Sequence, residues 1–139
     1  MKPAAADERR NVFGRVPFMR LLGARREFSA AGRARLVIDE RAELGNVIGA
    51  LHGGVVVTLL DVVMASAAVS LFDFERTAVT LNLNTSFLQP GRGALTADGE
   101  VLRHDDSVAW CCARVTDAGG SVVAQAQGSF RYLPLPPAD

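Results

Sequence analysis

The stretch Asn46-Val47-Ile48-Gly49-Ala50-Leu51-His52-Gly53-Gly54-Val55-Val56-Val57-Thr58-Leu59-Leu60-Asp61 holds the residue types from which a carbonyl-directed site is made. Two glycines open an apolar run with no Asp or Ser immediately before them to cap a helix. A helix start leaves backbone N–H groups unpaired and carries partial positive charge, so it attracts anions and developing oxyanions. Glycine there lets a carbonyl approach the backbone closely. The same pair would also serve tight helix–strand packing, and by itself it does not separate the two uses.

Asp61 adds the second half of a chemistry. It is the only charged residue between His52 and Asp73. A buried, unpaired carboxylate costs several kcal/mol, so it requires either a partner or a use. The partner would be an arginine from a strand; the use would be as nucleophile or general base. Gly53 and Asp61 are eight residues apart, about 12 Å along one helix. One reacting carbonyl cannot touch both at ~3 Å. If both act together, they come from different subunits related by a twofold axis. The spacing therefore predicts a homodimer with two shared sites.

The elements that position these residues are legible as an α+β pattern. Val16 to Leu22 reads as a short helix or turn. Arg25 to Ala30 and Gly32 to Asp39 read as strands joined by a tight turn at Ala31-Gly32, and Arg41 to Leu51 as a loop. A helix follows from about Gly53 to Leu71, apolar nearly all round and hence enclosed, with only its N-terminal part expected to stay accessible. Ala78 to Leu88 then alternates, with Val79, Leu81, Leu83 and Phe87 separated by Thr80, Asn82, Asn84 and Ser86. After the turn at residues 89–93 come strands Ala94 to Arg103, Ser107 to Thr116 and Ser121 to Tyr132, with hairpin signals at 104–106 and 117–120. The sum is one long central helix and five or six antiparallel strands.

With 139 residues, 49% of them hydrophobic and 22% charged, the chain has the composition of one globular domain. Residues 1–12 and 133–139 read as loosely ordered ends. Fifteen basic and fifteen acidic side chains leave no net field, which argues against nucleic acid or an anionic membrane as partner. Gly53 to Phe72 is long enough to span a bilayer, but Asp61 at its middle would be costly there, so it reads as a core helix. Cys111 and Cys112 are adjacent on one strand and face opposite ways, so they cannot pair. Free cysteines, no Cys/His ligand spacing and no apolar core in Met1 to Asn11 point to a cytoplasmic chain with no metal.

The pattern Asn-x5-His-Gly-Gly-x6-Asp, read as Asn46, His52-Gly53-Gly54 and Asp61, resembles the hotdog-fold acyl-CoA thioesterases of the phenylacetic-acid-degradation type. Val16-Pro17-Phe18-Met19-Arg20-Leu21-Leu22-Gly23 is similar to that family's opening, Val79 to Asn84 with Phe87 and Pro90-Gly91 to its post-helix strand and turn, and Ala124 to Phe130 to its closing strand. The resemblance implies a hotdog fold, a sheet curled round the central helix, and hydrolysis of a small-molecule acyl-CoA to free acid and CoA with no further cofactor. It implies Asp61 as nucleophile or general base, the Gly53 amide of the partner subunit as the group that polarises the thioester carbonyl, Asn46 as a holder of water or leaving group, and Thr80 as a hydroxyl beside the carboxylate. His52 either fixes its loop or touches substrate.

Substrate contacts are expected from Gly54, Met64, Ala65 and Phe87, with Val62, Phe18 or Leu22 nearby. Arg92 and Arg103, with His104, are candidates for the CoA phosphates, although Asp105 and Asp106 oppose phosphate at the second place. Dimers are expected to pair into tetramers. Two other readings fit the same scaffold: a hydratase or dehydratase of acyl thioesters, and a non-catalytic acyl-CoA sensor.

Overall fold

The computed structural model describes residues 11–136. Its elements are a 3-10 turn at Asn11–Arg15, helix α1 (Pro17–Leu22), strands β1 (Arg25–Ala30) and β2 (Arg33–Ile38), a 3-10 turn at Ala42–Leu44, helix α2 (Gly53–Ser70), and strands β3 (Arg76–Phe87), β4 (Leu95–His104), β5 (Val108–Asp117) and β6 (Val122–Pro134). The strands form one six-stranded sheet in the order β1-β2-β4-β5-β6-β3, and every neighbouring pair is antiparallel. The ends expected to be loose lie mostly outside the described residues. Of the described residues there, Asn11 and Val12 belong to the first 3-10 turn and β6 runs on to Pro134, while Leu135 and Pro136 belong to no element.

Alternation along the strands builds the core. Ala34, Leu36 and Ile38 of β2, Leu95 and Ala97 of β4, Ala109, Cys111 and Val115 of β5, and Phe130 and Tyr132 of β6 are buried against α2. Cys111 sits in this layer, where burial pushes its thiol up to about 12. Cys112 points to the other face, and both cysteines are free. The Tyr132 hydroxyl donates to the Ala68 carbonyl at 2.8 Å, the Ser29 hydroxyl to the Ser66 carbonyl at 2.8 Å, and the Gly32 amide to the Ser70 hydroxyl at 2.9 Å, so the C-terminal half of α2 is fastened to three strands or their turns.

The helix is enclosed less completely than its composition suggests. Val55, Val56, Leu59, Leu60, Val63, Met64, Ala67 and Ala68 are buried, but Val57, Thr58, Asp61, Val62, Ala65 and Val69 are only half-buried. Their three- and four-residue spacing makes a stripe along one side of the helix. The accessible part is thus this lengthwise stripe and not the N-terminal portion alone. The reason is topological: β3 is an edge strand, and among the described residues no strand continues the sheet past it to cover that side.

A second difference lies in β3. Simple alternation puts Thr80 on the face opposite Leu83. In the structure Thr80 pairs with Phe130 and Asn82 with Ser129, leaving Leu81 as an extra, unpaired residue. This bulge changes the side-chain parity of the strand, so Thr80 joins Leu83, Thr85 and Phe87 on the face toward α2.

Gly99 sets how closely the helix approaches the sheet. A Cβ at this position of β4 would stand 3.0 Å from the backbone carbon and oxygen of Val63. Gly99→Ala must push α2 outward, and overpacking of this kind costs about 1–3 kcal/mol. The urea midpoint of the variant is expected to fall with an unchanged m-value; an unaltered midpoint would mean the contact yields freely.

Candidate active site

The loop before α2 is held by its own hydrogen bonds. Asn46 Oδ1 accepts from the amides of Ile48 and Ala50, both at 3.0 Å, and the Asn46 amide donates to the Ala50 carbonyl at 2.8 Å. An isolated bridge joins Gly45 to Leu51, and an Arg92 guanidinium nitrogen donates to the Ile48 carbonyl at 3.4 Å. With its carbonyl oxygen committed twice, the Asn46 side chain is left to act through its Nδ2 donors.

The helix does have a cap. His52 is extended (φ −60°, ψ 139°), and its Nδ1 accepts from the Gly54 amide at 2.9 Å. An accepting Nδ1 places the imidazole proton on Nε2. The His52 carbonyl accepts from the amides of Val55 and Val56 at 2.9 and 3.2 Å. Of the first four helix amides, three are therefore occupied, and among the described residues no partner accepts from Gly53. The glycine at 54 has its own reason: a Cβ there would stand 3.1 Å from His52 Nδ1. Gly54 thus serves the cap, and its amide is not free for substrate.

Eight residues on, the half-buried Asp61 accepts a short hydrogen bond from the Thr80 hydroxyl through Oδ1 at 2.5 Å. No cation pairs with it among the described residues, so the arginine partner weighed as the alternative is not there. Oδ2 remains open. Gly53 and Asp61 both lie beside β3. A Cβ on Gly53 would lie 3.5 Å from Phe87 Cε1, so the Phe87 ring stands beside the free amide. Between Phe87 and Leu83 on the same face of β3, Thr85 carries a buried hydroxyl with no partner.

The remaining expected contacts divide. Ala65 and Val62 lie on the open stripe. Met64 is fully buried, as is Leu22 at 4% exposure, and neither lines the open face. For Met64 the cause is helical geometry: at about 100° per residue it lies about 60° round the helix from Asp61 on the side away from Val62 and Ala65, toward the sheet. Phe18 is exposed on α1. Arg92 stands by the start of α2 through its bond to Ile48. Arg103 is exposed at the other end, next to His104, which packs edge-on to Phe72 with ring centroids 6.0 Å apart. Within one chain these two arginines are too far apart to share a ligand's phosphates.

The family model of the thioesterase superfamily matches residues 48–124, from the loop before α2 into β6. The chain belongs to the thioesterase superfamily. The matched stretch includes Gly53, Asp61, Thr80 and Phe87, while Asn46 lies just before it. A candidate esterase of Saccharolobus solfataricus is 34% identical over 103 residues, covering 73% of this chain and 73% of its own length. A candidate esterase of Halobacterium salinarum is 34% identical over 123 residues, covering 81% of this chain and 82% of the relative. The crystal structure of a thioesterase family protein from Silicibacter pomeroyi superposes with a TM-score of 0.86 at 28% identity, covering 94% of this chain and 98% of that one. The fold is the hotdog fold, and the family makes thioester hydrolysis the general chemistry to which the chain belongs.

Histidine is a weaker capping signal than Asp or Ser, which is why the cap is not evident from residue types alone. The cap carries a direct consequence. His52→Ala is expected to lose about 1 kcal/mol of stability, and His52→Asn, which restores a capping acceptor, most of that less. Thermal or urea unfolding of the pair checks this; equal losses in both variants would remove the capping role.

Proposed function

We propose that the protein hydrolyses acyl-CoA thioesters in two sites shared across a homodimer. The observation that carries this reading is the division of the machinery: one unpaired helix-start amide and one carboxylate, eight residues apart on one helix and both beside β3. Each chain holds two half-sites and no whole one. Antiparallel packing of two copies of α2 about a twofold axis at Val57 would set Gly53 of each beside Asp61 of the other. Helix axes 8–10 Å apart leave room between those groups for a reacting carbonyl. The edge of β3 supports the same arrangement, since its 12 residues have hydrogen-bonding groups open on one side and expose Val79 and Leu81.

In such a site the thioester oxygen would accept from the partner's Gly53 amide at the positive end of the helix dipole. A donor aimed at a developing oxyanion contributes roughly 3–4 kcal/mol. Asp61 Oδ2 would then either take a proton from the attacking water or itself bond to the carbonyl carbon. In the second case the acyl-aspartyl anhydride is opened by water. Both routes release the acid and the CoA thiol. The Thr80 hydroxyl fixes which Asp61 oxygen is free, and the Nδ2 donors of Asn46 would hold the water or the leaving sulfur. Arg92, held beside the start of α2 by its bond to Ile48, would be the nearer of the two candidate arginines to hold the CoA phosphates, with Arg103 the more distant one. The motif's resemblance to the phenylacetic-acid-degradation type supports acyl-CoA as the substrate class. The same reading places the protein in the cytoplasm, as a dimer or a dimer of dimers.

Release of free thiol from a panel of acyl-CoAs tests the reading. Asp61→Asn is expected to lower kcat about a hundredfold or more. Thr80→Val, which removes one charge-assisted hydrogen bond, should lower kcat about tenfold with KM little changed. Turnover that survives Asp61→Asn, or tight binding of every acyl-CoA with no thiol released, would defeat it.

A further inference from the structure

The loop that holds Asn46 presents an unusual surface. Val47 is 102% exposed and Ile48 57% exposed, although both are apolar and β-branched. They are not carried on a slack segment. The Ile48 amide is bonded to Asn46 Oδ1 and its carbonyl to Arg92, Gly49 turns the chain back at φ 78°, and the bridge between Gly45 and Leu51 closes the base. A loop braced at this many points to expose two apolar side chains is preorganised for a contact that the single chain does not contain.

The helix stripe indicates what that contact is. In the dimer proposed above, on which this inference rests, a residue of one α2 lies beside the residue equally far on the other side of Val57 in its partner. Gly53 meets Asp61. The part of the stripe beyond Asp61, formed by Val62, Ala65 and Val69, is then opposed by what precedes Gly53 in the partner chain. That segment is the braced loop. Val62 and Ala65 pack on the core but keep part of their apolar surface open among the described residues, and Val47 and Ile48 are exposed apolar residues at the matching place. We propose that the Val47–Ile48 tip of each subunit forms the far wall of the acyl pocket of the other, over Val62 and Ala65. The tip would thereby limit acyl length in a site whose carboxylate belongs to the neighbouring chain.

Straight-chain acyl-CoAs of increasing length supply the probe. Trimming the wall in Val47→Ala/Ile48→Ala should move the optimum to longer chains, changing the long-to-short ratio of kcat/KM at least tenfold, as expected for gaining room for two methylenes in an apolar pocket. A ratio within twofold of native overturns the inference. The decisive arm uses mixed dimers, co-expressed with two tags, of the trimmed chain and an Asp61→Asn chain. Their one working site combines Asp61 from the trimmed chain with Gly53 and the intact tip of the other. It is expected to show the native length preference. The trimmed preference in that site would place the tip beside its own chain's Asp61 and overturn the inference, as would a mixed dimer without activity. An Asp61→Asn homodimer that remains active fails earlier and differently, since it removes the proposed function itself.

Discussion

The hydrogen bond between Thr80 and Asp61 is the point on which the arrangement turns. A carboxylate in an apolar helix is expensive to bury and useless to catalysis if it is neutralised. Here it is only half-buried, and no cation among the described residues pairs with it. The helix places it on a stripe that the sheet leaves open, and a neutral hydroxyl bonds one oxygen while the other has no hydrogen-bond partner among the described residues. That donor reaches it only because the bulge at Leu81 turns Thr80 inward.

The start of α2 shows a similar economy of donors. His52 takes the amide of Gly54 with its ring and those of Val55 and Val56 with its carbonyl. What remains is one amide at Gly53, at the positive end of an 18-residue helix. The cap therefore does more than end a helix: it selects which backbone donor is available. Gly99 contributes from the other side of the helix, since the close seat it allows sets how near α2 lies to the sheet.

Much of this was legible in the sequence. The strands and hairpins follow from period-two alternation and their turn residues, and the long helix from an unbroken apolar run. Asp61 stood out because its environment in sequence offered it nothing. What could not be read has identifiable causes. A helix that is apolar all round does not reveal which side is left bare, so the open stripe through Val57, Asp61 and Ala65 emerged only with the sheet. Alternation cannot register a bulge, so period two alone puts Thr80 with Asn82 and Asn84, and only the family resemblance sets it beside Asp61. Met64 and Ala65 look equivalent beside Asp61 in one dimension, yet a helical turn sends the first into the core and the second to the surface. The capping of Gly54 by an imidazole has no strong residue preference to announce it.

The twofold at Val57 is the claim that joins these parts, and a cysteine placed on the axis tests it most directly. In a Cys112→Ser background, Val57→Cys should form a disulfide-linked dimer under mild oxidation, because facing positions on the axis fall within bonding range. Val69→Cys, whose two copies would lie about 36 Å apart along the paired helices, should not. Rapid crosslinking through residue 69, or a dimer in solution whose residue 57 thiols stay free, would contradict the account.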